Sequence, residues 1–132
     1  LKSRENGGAK FLFNVQLPDA STPIDIIMID PYGVFVLKDS QANDANDAIA
    51  QNTRNTNLLQ SHIAMRDVPF HNLVIFSESQ KVQDNNPYVV LLPNLQKKVK
   101  ELSYAHSLCL LSSDINQIYQ KYCKGNYEQY CS

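Results

Sequence analysis

The stretch TPIDIIMIDPYGVFVLKDS, residues 22–40, decides how this chain folds. It contains two apolar runs, 24–29 and 34–37, in which β-branched residues are frequent, as is typical of strands. Pro31 suits the first central position of a β-turn because its ring fixes φ, and Gly33 can close the turn without steric cost. The stretch therefore predicts an antiparallel β-hairpin.

Both runs are apolar on both faces, which indicates a sheet covered on two sides rather than one open to water. Other apolar patterns predict strands at 11–17, 73–76 and 88–92, and helices at about 44–65, at 94–102 and from Ser112 onward. This order of elements predicts an α/β fold, with a mixed central sheet flanked by helices.

Some local details follow from the same patterns. Alternation in the first strand would place Phe11, Phe13, Val15 and Leu17 on one side of the sheet. We expect Asn94 to cap the second helix, and the glycine at position 125 to end the third.

Asp25 is the unexpected residue in the hairpin because it interrupts an apolar strand. A carboxylate buried without partners costs free energy, so Asp25 needs a cation or hydrogen-bond donors close to it. It is therefore the first candidate for a functional residue.

The hairpin resembles the nuclease-related domain (NERD) family of restriction-endonuclease-like nucleases, in the PD-(D/E)xK superfamily. Family members carry the pattern xxIDxxxxxxxGVFVIExK, and this chain matches it at Ile24-Asp25 and at 33–37 in the same register. The resemblance implies a restriction-endonuclease-like fold over residues 11–122. It also implies a site built from an Asp on the first hairpin strand and a Glu-x-Lys at the end of the second.

The chain departs from the family in the Glu-x-Lys part. Lys38 stands where the resemblance implies a Glu, and Ser40 stands where it implies the catalytic Lys. Magnesium-dependent phosphodiester hydrolysis needs oxygen ligands, and an ammonium group at a ligand position repels the ion. Asp39 is adjacent, but successive strand residues point to opposite faces unless a bulge re-aims one of them. We therefore expect a degenerate site that needs no cofactor.

The alternative is an active Mg²⁺-dependent nuclease, with Asp25 as metal ligand, Asp39 re-aimed by a bulge and Lys38 in the role of the missing Lys. A further site candidate is Gln51, since the family carries an NPxxQN segment that opens a helix and this chain keeps the Gln-Asn pair. A solvent-facing helix residue is an equally good interpretation of Gln51. The family also carries a Glu in a helix before the first strand, which Glu5 does not match.

The composition shows no excess of basic residues of the kind that nucleic-acid-binding proteins usually carry. The chain has 132 residues, 19% of them charged, and a formal net charge of −1, whereas dedicated nucleic-acid binders usually have a basic excess. Lys97, Lys98 and Lys100 form a local basic cluster, which is either a nucleic-acid contact or a solvated helix face.

The three cysteines, Cys109, Cys123 and Cys131, show no metal-binding spacing, and whether Cys123 pairs with Cys131 stays open. No signal peptide and no apolar run of membrane-spanning length is present, so we expect a cytoplasmic protein without membrane contact. The length suits one domain, expected at 11–124, between a flexible segment at 1–10 and a tail at 125–132.

The expected function is a degenerate nuclease-related domain that acts as a nucleic-acid-binding or protein-interaction module. Its expected partners are DNA or other domains of a longer chain. An assembly domain without DNA affinity is a third interpretation, and the oligomeric state is left open.

Overall fold

The computed structural model describes residues 8–40, 45–63, 65, 67–77, 86–105 and 108–126, with the side chains of 124–126 excepted. Five strands form one sheet: β1 (Lys10–Val15), β2 (Ile24–Asp30), β3 (Gly33–Asp39), β4 (Phe70–Phe76) and β5 (Val89–Leu91). The helices described are α1 (Ala45–His62), α2 (Leu95–Tyr104), α3 (Ser112–Asn126) and a short 3-10 helix (Leu92–Asn94).

The strands lie in the order β1-β2-β3-β4-β5. The pairs β1–β2 and β2–β3 are antiparallel, and β3–β4 and β4–β5 are parallel. Helix α1 makes the crossover between the parallel strands β3 and β4, as parallel pairing requires. The predicted α/β fold with a mixed sheet is thus confirmed.

The predicted hairpin is β2–β3, and its turn is sterically locked. Gly33 has a φ of +145°, and a Cβ atom built on it would lie 2.7 Å from the carbonyl oxygen of Pro69. Val34 donates its N–H to that same oxygen, at 3.0 Å. Only glycine fits this conformation and this space, so the turn is fixed against the start of β4.

Each face of the sheet carries its own apolar core, as the two-sided hairpin predicts. One face packs against α1 and α3, through a cluster that includes Ile27, Ile29, Val34, Val36, Leu59, Ile118 and Tyr119. The other face packs against α2, through Met28, Phe35, Leu37, Leu73, Ile75, Leu95 and Val99. We call these the α1 face and the α2 face.

The predicted alternation in β1 is wrong. Leu12 and Val15 belong to the core on the α1 face, whereas Phe11 packs against the α2-face core and Phe13 is 40% exposed. Asn14 causes the change, since its φ of +54° is left-handed and interrupts the two-residue repeat. Asparagine tolerates this conformation better than most residues.

Several helix ends also differ from those expected. Helix α1 ends at His62 rather than near Met65, and α3 continues past position 125 to Asn126. Asn94 precedes α2 but makes no side-chain capping hydrogen bond, because a 3-10 turn occupies residues 92–94. These are boundary errors, since each helix lies where the apolar period predicts it.

The segment between α2 and α3 is tied to the hairpin turn. The N–H groups of Cys109 and Leu110 both donate to the carbonyl oxygen of Pro31, at 2.9 and 3.0 Å. Burial, and then the carboxylate of Asp30, raise the pKa of the Cys109 thiol. Cys109 is a free thiol, while Cys123 is disulfide-bonded and its partner lies outside the described residues.

Most of the predicted flexible segment at 1–10 and of the predicted tail at 125–132 lies outside the described residues, although Lys10 already begins β1. Within the described ranges, no helix is both long enough and apolar enough to cross a lipid bilayer. The cytoplasmic location stays a prediction.

Candidate functional site

The sheet opens at the end of the hairpin where the candidate residues lie. Strands β2 and β3 pair only as far as Ile26 and Leu37. Beyond that point β2 remains paired with β1 as far as Ile24, and β3 remains paired with β4 as far as Asp39. The two strands therefore part beside Asp25. We call this place the β2–β3 opening.

The carboxylate of Asp25 bridges this opening. Its Oδ2 accepts a hydrogen bond from the backbone N–H of Asp39, at 3.0 Å. The side chain of Asp25 thus replaces a ladder hydrogen bond that the separating strands no longer make. The half-buried carboxylate of Asp25 was expected to need a hydrogen-bond donor or a cation nearby, and the donor is the backbone N–H of Asp39.

Asp39 contributes its backbone to the opening rather than its carboxylate. It pairs with Ile75 in an unbroken β3–β4 register, so no bulge in that ladder re-aims its side chain. Ile75 belongs to the α2-face core, and strand alternation gives Asp39 the same side. Its side chain is exposed at the strand end.

Lys38 lies on the other side of the strand from Asp39. Val34 and Val36 point into the α1-face core, and alternation brings Lys38 to that face as well. One further step of the β2–β3 register would set it opposite Asp25, although the paired register itself ends at Ile26 and Leu37. The ammonium of Lys38 and the carboxylate of Asp25 therefore both border the opening.

Ser40 follows on the α1 face, at the position where the family pattern has its catalytic Lys. It is 5% exposed, and its N–H donates to the carbonyl oxygen of Ile75, at 3.0 Å. A buried hydroxyl therefore occupies this position.

Helix α1 covers this side of the sheet and positions Gln51. Asn55, one turn further along the helix, donates from Nδ2 to the hydroxyl of Thr22, at 3.3 Å. Residues four apart share a helix face, so half-buried Gln51 lies on the flank of α1 that faces the start of β2. Asp25 is the second residue of that strand.

A buried amide network, which the sequence pattern does not reveal, attaches α1 to the sheet. Asn52 is 1% exposed, and its Nδ2 donates to the carbonyl oxygen of Val36, at 3.0 Å, and to Oδ1 of Asn72. Asn72 in turn donates from Nδ2 to the hydroxyl of Thr53, at 2.6 Å. The available signal was the position of Asn52, which falls on the apolar period of the helix.

The described residues at the β2–β3 opening, which exclude 41–44, do not by themselves fit a magnesium ion. Magnesium prefers near-octahedral oxygen coordination, usually with more than one protein or phosphate oxygen. The opening offers the carboxylate of Asp25, one oxygen of which already accepts an N–H, and the ammonium of Lys38. Over the described ranges, no group of three or more His, Cys, Asp or Glu side chains could hold a metal ion.

The predicted lysine cluster lies on the opposite face of the sheet from Lys38. Lys97 and Lys100 are exposed and Lys98 is half-buried, all on α2. Helix α2 packs on the α2 face through Leu95 and Val99. The structure therefore does not bring the lysines together with Asp25 and Lys38.

In a comparison with models of known protein families, residues 1–77 match the model described as NERD, nuclease-related domain. The match covers more than half of the 132 residues and confirms the resemblance found in the hairpin. The five-stranded mixed sheet with its helices is an α/β fold compatible with a restriction-endonuclease-like domain of this kind. Comparisons with curated proteins and with solved structures gave no match.

Proposed function

Because this chain belongs to the nuclease-related domain family, we propose that it binds nucleic acid without cutting it. The family match supports a nuclease-related function in general terms. The absence of cleavage and the binding of nucleic acid are the specific parts of the proposal.

The observation that carries the proposal is the pair of groups that border the β2–β3 opening. Asp25 accepts the N–H of Asp39 with its carboxylate, at 3.0 Å, and Lys38, the residue before Asp39, contributes a positive charge to the opening. A divalent ion at Asp25 would have to use the remaining carboxylate oxygen or displace that hydrogen bond, and it would approach an ammonium group. Coulomb repulsion between cations opposes this at short distance.

Binding without cleavage needs only cations, because phosphate neutralisation supplies most of the affinity for nucleic acid. Lys38 at the opening and the lysines of α2 are the described side chains best suited to this role. The protein-interaction alternative predicts no salt-sensitive affinity for DNA, and titration of DNA at several salt concentrations separates the two.

A cleavage assay tests the main claim. Single- and double-stranded DNA are incubated with the wild-type chain in Mg²⁺ or Mn²⁺, with the Asp25→Ala variant as a matched control. We expect no cleavage by either protein. Turnover by the wild type that Asp25→Ala abolishes would overturn the proposal in favour of a nuclease that uses Asp25, Asp39 and Lys38.

A second experiment asks whether Lys38 is what excludes the metal. Lys38→Glu places a second carboxylate beside Asp25, and isothermal titration with Mn²⁺ should then show binding that the wild type lacks. The control is Lys100→Glu, which makes the same charge change on the opposite face of the sheet and should leave Mn²⁺ unbound. Binding of Mn²⁺ by the wild type, lost in Asp25→Ala, would contradict the proposal.

A further inference from the structure

The outward side of α2 carries a row of basic and aromatic side chains. Leu95, Val99 and Ser103 are the buried residues of this helix. Lys97, Lys100 and Tyr104, one turn apart in succession, are exposed on its other side. The two lysines are separated by about 4.5 Å along the helix axis. Consecutive phosphates of a nucleic-acid strand have a spacing of the same order.

Two shallow cavities adjoin this row. One, of about 500 Å³, lies between the edge strand β5 and α2, and its lining includes Asn94, Lys97, Lys98 and Glu101. The other, of about 530 Å³, is lined by Pro93, Gln96, Lys97, Lys100, Glu101 and Tyr104. Lys97 and Glu101 line both cavities, and we call the two together the α2 groove.

The charge of the α2 groove differs from that of the whole chain. The groove contains Lys97, Lys98 and Lys100 but one carboxylate, Glu101. The whole chain has a formal net charge of −1. Positive charge is thus concentrated here, as expected for a surface that contacts phosphates.

Tyr104 supplies the aromatic surface at the end of the row. It is 71% exposed, although its ring makes an edge contact with Tyr32, at a centroid distance of 6.2 Å and an interplanar angle of 89°. This contact orients the ring while most of it remains open to solvent. An exposed, oriented ring is a platform on which an unpaired base can stack.

From these features we propose that the α2 groove binds single-stranded nucleic acid. Lys97 and Lys100 contact successive phosphates, Lys98 adds to the local field, and Tyr104 stacks on a base. A duplex could satisfy the lysines but presents no free base to Tyr104, which is why a single strand is the preferred ligand. This inference rests on the proposed function, to which it adds the form of the nucleic acid and the surface that holds it.

Fluorescence anisotropy with a labelled 15-nucleotide oligothymidylate, a labelled duplex of the same length and labelled polyglutamate tests the proposal. We expect the single strand to bind most tightly. Tyr104→Ala should weaken that binding by at least about fivefold, while Tyr104→Phe, which keeps the ring, should retain it. Glu101→Gln should strengthen binding because it removes the groove's carboxylate.

The lysines are tested by salt dependence. For single strands, each phosphate contact contributes about 0.7 to the slope of log affinity against log salt, so Lys97→Gln with Lys100→Gln should reduce the slope by about 1.4. The matched control is Lys10→Gln with Lys121→Gln, which removes the same charge from β1 and α3 and should leave the slope unchanged. Thermal melts followed by circular dichroism establish that each variant is folded.

The outcomes distinguish the groove from the wider function. The wild type could bind single strands while the α2 variants behave like their controls. In that case the proposal that the α2 groove is the binding surface is wrong, and the proposed function stands. Equal affinity for polyglutamate, with no effect of Tyr104→Ala, overturns the groove in favour of a general polyanion surface. If the wild type binds no nucleic acid, both proposals fail.

Discussion

Asp25 holds the two hairpin strands together at the point where their backbone ladder ends. A carboxylate in an apolar strand predicts a partner, and the sequence is sufficient for that expectation. The identity of the partner is not predictable from the pattern, because the N–H of Asp39 becomes available only where β2 and β3 separate. That separation depends on the pairing of each strand with its other neighbour.

Replacing Asp25 tests this structural role. Asp25→Ala removes the acceptor for the Asp39 N–H and should lower the free energy of unfolding by about 1–2 kcal/mol. Asp25→Asn keeps an acceptor oxygen and should lower the free energy of unfolding by a smaller amount. Urea denaturation measures both, and equal losses in the two variants would contradict the role of the hydrogen bond.

Cys109 gives a prediction with a defined dependence on pH. Burial, and then the charge of Asp30, raise its pKa, so less of the reactive thiolate is present at any pH below that value. Alkylation by iodoacetamide at pH 8 should therefore be slower than for a model cysteine peptide, and its rate should still rise above pH 9.

The Cys109→Ser variant supplies the background rate for this measurement. A rate that levels off at a pH below that of the model peptide would contradict the raised pKa.

At the scale of elements, α1 is attached to the sheet by amides as well as by apolar contacts. Its apolar period predicted the helix, and Asn52 falls on that period. The hydrogen bonds to Val36 and Asn72 were not predictable, because they need the register of β3 against β4. For a similar reason the alternation in β1 failed at Asn14, whose left-handed backbone the apolar pattern does not reveal.

Asn52→Ala should be among the more damaging substitutions in α1. It removes a nearly fully buried donor and leaves the carbonyl oxygen of Val36 and Oδ1 of Asn72 without that hydrogen bond. We expect a loss of about 2–3 kcal/mol in the free energy of unfolding. Asn57→Ala, at an exposed position of the same helix, is the control and should change stability by less than about 0.5 kcal/mol.

Urea denaturation of the two asparagine variants gives the comparison directly. Similar losses at the two positions would show that the buried network adds nothing to the attachment of α1.

At the scale of the molecule, the family match and the folded unit do not coincide. The match ends at residue 77, whereas β5, α2 and α3 lie beyond it and contribute to the cores on both faces. The sequence predicted the order of these elements because each has a clear apolar period and turn residues between them. It did not predict which face each helix covers.

A fragment of residues 1–77 should therefore fail to fold cooperatively. Without α3 the α1-face core loses Ile118 and Tyr119, and without α2 the other core loses Leu95 and Val99. We expect strong binding of the dye ANS and no sharp urea transition.

A fragment of residues 1–110 keeps β5 and α2 and serves as the comparison. It should bind less ANS than the shorter fragment, because it loses α3 alone, and only the α1-face core is then partly exposed. A sharp urea transition in the 1–77 fragment would show that the matched part is a complete folding unit.

The placement of Lys38 and the α2 groove on opposite faces of the sheet has a consequence for valency. A ligand seated along α2 is separated from Lys38 by the sheet, so it should not sterically exclude a second ligand at Lys38. Two distant segments of one long strand could then be held at once, and the second attachment would gain from the raised effective concentration. In such an arrangement the domain would hold two segments of the same strand. Affinities measured with short oligonucleotides would then be lower than the affinity for a long strand.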